Sequence, residues 1–240
     1  MWITKFLTSS IGQKVIMSLT GLFLIIFLLV HLVGNLQLFL DDRGEAFNVY
    51  AQFMTTNPII QATSIGLYAT FLLHAIQGIV LAWNNRKARG AQKYAVKQTR
   101  GSWSFPWISS NMALLGSILF VFLCIHMGDF WWSTKRGLLE NVAYGDDAVM
   151  TGDLYRKVYA SFKIWWVVLI YEIGMVALAL HLLHGFASAF QTLGLNHPKW
   201  MPLIKAVGIV YSILIPLGFA IIPLYIFFAV DIPEYAYLFE

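Results

Sequence analysis

Residues 15–40 read VIMSLTGLFLIIFLLVHLVGNLQLFL, twenty-six positions without a single Asp, Glu, Lys or Arg. At about 1.5 Å per residue a helix of that length outreaches the roughly 30 Å of a bilayer's hydrocarbon. The run is too long for a signal-peptide core and has no small-residue cleavage site, so it is expected to stay as a membrane span. It carries one ionisable ring, His31, at a depth where water does not reach.

Four further runs repeat the pattern: Ile59–Trp83, Asn111–Trp132, Lys163–Phe190 and Leu203–Val230. The 240 residues are 59% hydrophobic and 12% charged, about half the charge of a soluble domain. A transmembrane barrel would alternate in strands of about 10 residues, and nothing here does. The expected fold is an all-α integral membrane protein with five transmembrane helices, one domain over residues 1–240. Cys124, the only cysteine, reads as a small packing residue, and no disulfide framework or thiolate metal site can be built from it. No internal repeat, low-complexity tract or soluble domain is visible. The 41–58 and 133–162 loops lie on one side, with room for short helices.

Charge orients the chain. The N-terminus, the 84–110 loop and the 191–205 turn hold Lys5, Lys14, Arg86, Lys87, Arg89, Lys93, Lys97, Arg100, Lys199 and Lys205, with no acid. The opposite side holds Asp41, Asp42, Glu45, Asp129, Glu140, Asp146, Asp147, Asp153, Asp231, Glu234 and Glu240, with six basic residues. The positive-inside rule puts the first set in the cytoplasm and the C-terminus outside. The basic stretch NNRKARGAQKYAVKQTRG (84–101) suits lipid headgroups and also a docked soluble partner. Nucleic acid is not expected, since no motif or aromatic-lined groove accompanies the charge.

Five of six histidines fall inside the runs: His31, His74, His126, His181 and His184. Ionisable residues in spans are rare and face the bundle interior. Depth sorts them. His74 is nine residues before Trp83 and His181 nine before Phe190, both toward the cytoplasmic end. His31 is nine before Leu40 and His126 six before Trp132, both toward the outer end. Two pairs result, at two levels about 10 Å apart. Two neutral imidazoles at one depth on different helices suit a bis-histidine haem. Zinc wants three or four ligands close together, and a proton relay would need more carboxylates than Glu172, the only one well inside a span. Glycine stands four residues past two of the rings, as Gly78 and Gly185, where a flat macrocycle needs room. Gly174 and Ser188 share the His181 face at −7 and +7, and Gly66 lies eight before His74. His184 lies three residues beyond His181, about 60° round the helix, which suits a bond to a haem propionate or quinone, or to backbone or a lipid headgroup.

The stretches SLTGLFLIIFLLVHLVGN (18–35), HAIQG (74–78) and HLLHGFASAFQTLG (181–194) carry S-x-T-G-L-F and two H-x-x-x-G motifs. Together they resemble the cytochrome b membrane-anchor subunit of succinate dehydrogenases and fumarate reductases, in its single-chain, five-span, dihaem form (the b558 family). The similarity runs in order from about residue 10 to 230. It implies four helices forming a haem-binding bundle with the fifth alongside, and two haem b groups. His31 and His126 would hold the outer haem iron, His74 and His181 the cytoplasmic one, and Ser18 would stand near the inner propionates. It further implies flavoprotein and iron–sulfur partner subunits, lipid, a quinone substrate expected to be menaquinone, and a bacterial cytoplasmic (inner) membrane. The chain would serve a respiratory chain and the tricarboxylic acid cycle without doing dicarboxylate chemistry itself. Some relatives that reduce fumarate carry Glu two residues before the fourth-span ligand; here that position is Ala179, and Glu172 reads as interfacial or hydrogen-bonded. The alternatives are a dihaem subunit of another quinone-linked dehydrogenase or hydrogenase, and a haem-free anchor or transporter.

The charge asymmetry makes a topological prediction. Cysteines placed at Lys93 and Lys97 should label poorly from outside intact cells, and in inverted vesicles only after soluble subunits are stripped. Efficient labelling of intact cells would reverse the orientation.

Overall fold

Five helices long and apolar enough to cross a membrane run over Ser10–Phe39, Pro58–Ala88, Met112–Lys135, Trp165–Thr192 and Met201–Ala229, in a computed structural model that describes residues 2–90, 106–144 and 150–229. Their apolar side chains are widely uncovered, Ile59 and Phe228 each at 76%, which suits hydrocarbon rather than water as the surrounding medium. The chain is thus a multi-pass, all-α membrane protein in its spans. Lys93, Lys97, Arg100, Asp146, Asp147, Val230, Asp231, Glu234, Glu240 and the C-terminus lie outside the described residues.

In chain order the elements are α1 (Trp2–Thr8), α2 (Ser10–Asn35, continued by a 3-10 turn Leu36–Phe39), α3 (Glu45–Thr56), α4 (Pro58–Arg89), α5 (Pro106–Ser110) and α6 (Met112–His126). A π turn over Met127–Trp131 leads into α7 (Trp132–Lys135), then β1 (Asn141–Val142), β2 (Thr151–Gly152), α8 (Leu154–Phe162), α9 (Trp165–Thr192) and α10 (Met201–Ala229). The short helices α3 and α8 occupy the two loops expected to have room for them. The antiparallel pair β1–β2, with Asn141 opposite Gly152 and Val142 opposite Thr151, has no sequence signal, since two residues are too few to alternate.

Local chemistry sets the boundaries. Asn57 Oδ1 accepts from the N–H groups of Ile59 (3.0 Å) and Ile60 (3.3 Å), while Pro58 fills the first helical position, where its missing N–H costs nothing. Asp42 caps α3 by accepting from Gly44 N–H (3.0 Å) and Ala46 N–H (2.9 Å). The fourth span starts at Trp165 rather than Lys163 because the Lys163 N–H closes α8 on Tyr159 O at 3.2 Å. Beyond α9, Gly194 takes the left-handed conformation (φ 80°) and Leu195 N–H returns to Phe190 O at 3.0 Å, a glycine-terminated helix end.

The chain divides into two compact units. The first comprises Met1–Phe27, Gly66–Leu119 and Ala177–Leu214. It holds ten Lys or Arg and no Asp or Glu, so the charge segregation read along the sequence coincides with a structural division. Lys5, Lys14, Arg86, Lys87 and Lys199 are exposed on it. Ile108, Leu115 and Ala177 form its apolar cluster, packed by Met112, Ile118, Leu119, Leu180 and Leu183.

The second unit comprises Leu28–Ile65, Phe120–Val176 and Ile215–Glu240 and contains all twelve acids. Its core is larger and aromatic: Leu38, Phe47, Tyr155, Val158, Tyr159, Phe162, Val167, Val168, Tyr171, Ile222 and Ile226 are buried together. Buried polar groups need partners, and here they have them. Tyr159 O–H donates to Leu38 O at 2.9 Å. Asn48, wholly buried, joins α3 to α8 from both ends of its amide. Its Nδ2 donates to Tyr144 Oη (2.7 Å) and Asp153 Oδ1 (3.0 Å), and its Oδ1 accepts from Tyr155 N–H (2.9 Å). Burial pushes the Tyr144 phenol above its ordinary range, keeping it a neutral hydroxyl that donates to Arg43 O at 3.3 Å. Gly44, at φ 82°, lets Tyr155 lie against the backbone where a Cβ would overlap its ring.

Asn48→Leu keeps the volume and removes all three bonds. It should lower stability in detergent by about 1–3 kcal/mol, because it takes the acceptor from the buried Tyr155 N–H and one donor from Asp153, which keeps the Arg156 N–H. Thermal unfolding followed by tryptophan fluorescence checks this. An unchanged transition would mean that α8 docks by apolar contact alone.

Candidate functional site

The first unit brings His74, on α4, against His181, on α9, with ring centroids 6.2 Å apart and planes at 69°. The second brings His31, on α2, against His126, the last residue of α6, at 5.8 Å and 83°. These are the two pairs that equal depth selects in the sequence. A metal–imidazole bond is about 2.0–2.1 Å and the ligating nitrogen lies about 1 Å from its ring centre, so two rings sharing one metal atom stand about 6 Å apart. Both spacings fit. Among the described residues no group of three or more His, Cys, Asp or Glu side chains is arranged to hold a metal ion, so the donor sets are pairs.

Protons decide which nitrogen is available. Thr20 is buried, and its hydroxyl lies 2.8 Å from Ile16 O and 3.0 Å from Met17 O, to which its single proton is donated. The same hydroxyl lies 3.1 Å from His74 Nδ1. A ring proton on Nδ1, donated to Thr20, would leave the Nε2 lone pair free to bind a metal. Gly21 makes room for this ring, since a Cβ there would stand 3.4 Å from His74 Cε1. On the partner ring, His181 Nδ1 is buried without a hydrogen-bond partner among the described residues, as is Gln77 Oε1 on α4.

In the second unit His126 Nδ1 meets Tyr171 Oη at 3.2 Å. Asn35 Nδ2 donates to His31 O at 2.8 Å and lies 3.4 Å from His31 Nδ1. Aromatic rings enclose this pair. Phe219 lies 5.5 Å from His31, Phe122 stacks on His126 at 5.8 Å and 23°, and Phe130 stands 5.5 Å from His126.

The remaining candidates have less uniform surroundings. Ser18 is buried, and its hydroxyl donates to Lys14 O at 2.9 Å, so its proton is already committed within α2. His184 is half-buried on α9, one turn past His181. Nothing lies within 4 Å of a Cβ built on Gly185, and Gly78 would meet only Met17 Cε at 3.7 Å, so both glycines leave the room the H-x-x-x-G spacing suggests. Gly66 is likewise open. Gly174 is a different case: its Cβ would stand 2.7 Å from Phe122 Cδ2. It belongs to the second unit and admits the ring that stacks on His126. Glu172 Oε1 is buried without a partner among the described residues.

Thr20 and Tyr171 are the contributors that sequence reading does not single out. Thr20 stands inside the S-x-T-G-L-F motif, but a threonine in a span ordinarily bonds only its own helix. Tyr171 had a depth signal, since it lies eight residues past Lys163, near the outer level of His31 and His126. No family model, curated protein or solved structure matches the chain.

Two glycines on one helix make a paired prediction. Gly174→Ala must push Phe122 and should destabilise by about 1–3 kcal/mol. Gly185→Ala meets no atom of the described residues and should not destabilise the chain, the helical position favouring Ala slightly. Equal effects in the two variants would refute this assignment of space.

Proposed function

We propose that this chain is the dihaem cytochrome b anchor of a succinate:quinone oxidoreductase, passing electrons between a docked iron–sulfur subunit and a membrane quinone. The observation that carries the reading is the pair of imidazole pairs, each spaced for one metal atom between them. Haem iron held by two imidazoles supplies a one-electron carrier whose potential is set by its axial ligands, burial and nearby hydrogen bonds.

The chain's own residues have definite tasks in this reading. His74 and His181 would hold the inner haem, and His31 and His126 the outer one. Thr20, beside His74 Nδ1, would accept that ring proton and leave Nε2 to the metal. Gly78 and Gly185 leave space beside the inner pair, while Phe122, Phe130 and Phe219 exclude water from the outer one. Ser18 would have to release Lys14 O before its hydroxyl could donate to a propionate. Exposed Lys14, Arg86, Lys87 and Lys199 form a basic surface suited to a soluble partner in the cytoplasm. The flavoprotein and iron–sulfur subunits, the menaquinone substrate and the inner-membrane location rest on the sequence resemblance.

Pyridine haemochrome analysis of the purified complex should give two haem b per chain. His181→Ala should lose one of them together with quinone-linked turnover, whereas His184→Ala should keep both. A wild-type ratio near one would remove a pair, and haem loss in His184→Ala alone would reverse the ligand assignment.

A further inference from the structure

Tyr171 touches His126 but takes no part in the proposed ligand set. Its ring is 6% exposed and is fixed edge-on by Phe162 (4.9 Å, 80°), Phe122 (5.1 Å, 82°) and Phe130 (6.2 Å, 69°). A ring clamped on three sides cannot swing its hydroxyl elsewhere without opening the core. That hydroxyl is held 3.2 Å from His126 Nδ1.

The phenol has one proton and two lone pairs, and it must direct them between two neighbours. On one side stands the imidazole. On the other, Tyr171 lines a cavity of about 260 Å³ whose wall also carries Asp129, Lys157 and Ser161, with Ile125, Ile164 and Trp166 among its apolar residues. Asp129 and Lys157 are ion-paired at 2.5 Å. A cavity of that size, largely apolar but carrying the Asp129–Lys157 pair and Ser161, has room for water, which would give the phenol proton an acceptor. Its lone pair is then free for the Nδ1 proton of His126.

We propose that Tyr171 is the positioning residue of the outer haem: its hydroxyl accepts the Nδ1 proton of His126, fixes the tautomer that presents Nε2, and tunes the potential of the iron. This rests on the dihaem reading above. Metal-bound histidines generally direct their second nitrogen to such an acceptor, which orients the ring and raises its donor strength. A stronger donor favours the ferric form, so the hydroxyl lowers the potential. The inner pair is served differently, by the Thr20 hydroxyl, and the two haems are expected to differ accordingly.

The test compares Tyr171→Phe with Phe162→Leu in the purified complex. Potentiometric titration is followed by haem absorbance and low-spin EPR, and the wave missing in His126→Ala identifies the outer haem. Tyr171→Phe keeps the ring and its clamps. It should keep the inner haem unchanged and shift the ferric-to-ferrous ratio of the outer one about tenfold toward ferrous, a rise of about 59 mV for one electron. Loss of the outer haem alone in Tyr171→Phe would also support the role. Phe162→Leu disturbs the clamp while keeping the hydroxyl, and should leave the potential in place. An unshifted outer wave and unchanged EPR signal in Tyr171→Phe overturn the inference, as does an equal shift in Phe162→Leu, which would assign the effect to packing. A wild-type complex without haem would instead defeat the functional reading and this inference with it, so the two failures are distinguishable.

Discussion

Hydrocarbon offers no hydrogen-bond partner, and this one constraint organises the chain. Every polar group inside a span must find its partner within the protein. Several hydroxyls of the spans do so by bending back to the carbonyl one turn earlier. Ser18 returns to Lys14, Thr20 to Ile16, Ser64 to Ile60, Ser117 to Ala113, Thr192 to Ser188 and Ser212 to Gly208, all between 2.7 and 2.9 Å. Against them, among the described residues, three buried atoms without partners stand out: Gln77 Oε1, His181 Nδ1 and Glu172 Oε1. A membrane protein that satisfies its serines and threonines this consistently has a reason for carrying polar side chains that it leaves open.

The two units solve the same problem by different means. The first holds its imidazole pair with little apolar core, relying on a threonine hydroxyl and on glycines that keep neighbouring side chains away. The second embeds its pair in phenylalanines and tyrosines whose edge-to-face contacts contribute about 0.5–1.5 kcal/mol each beyond simple burial. It then seals that core with α3 and α8 through the Asn48 amide. An aromatic enclosure of this kind resists ring rotation. A pocket framed by open space and one hydroxyl leaves its rings freer to adjust to the group they hold.

Hydropathy made the five spans readable, because a run of twenty or more apolar residues has few alternative fates. The histidine pairs were readable too, since depth along a helix derives directly from residue number. Depth is only one coordinate, however. Which residue on a neighbouring helix meets a ring depends on rotation about the axis and on the tilt of the partner, and neither is written in a single chain's periodicity. That is why Thr20 is inconspicuous within its motif, and why spacing alone does not say that Gly174 meets Phe122. The Asn48 amide was illegible for a further reason. An asparagine in a short polar helix looks like an exposed side chain until a segment about a hundred residues later folds over it.

The π turn after His126 carries a consequence for how such chains can change length. Its wider turn, Met127–Trp131, holds one residue more than an α-helical turn would, and it presents both Phe130, beside the His126 ring, and Asp129, the partner of Lys157. Deleting a residue before His126 would rotate the ligand itself by about 100° about the helix axis. Deleting one within the π turn would return it to ordinary helix, leave the ligand's register intact and rotate only the residues C-terminal to the turn. Descendants of this sequence therefore have an unequal freedom: insertions and deletions can be absorbed on the loop side of His126, while the helix that leads up to it must keep its count.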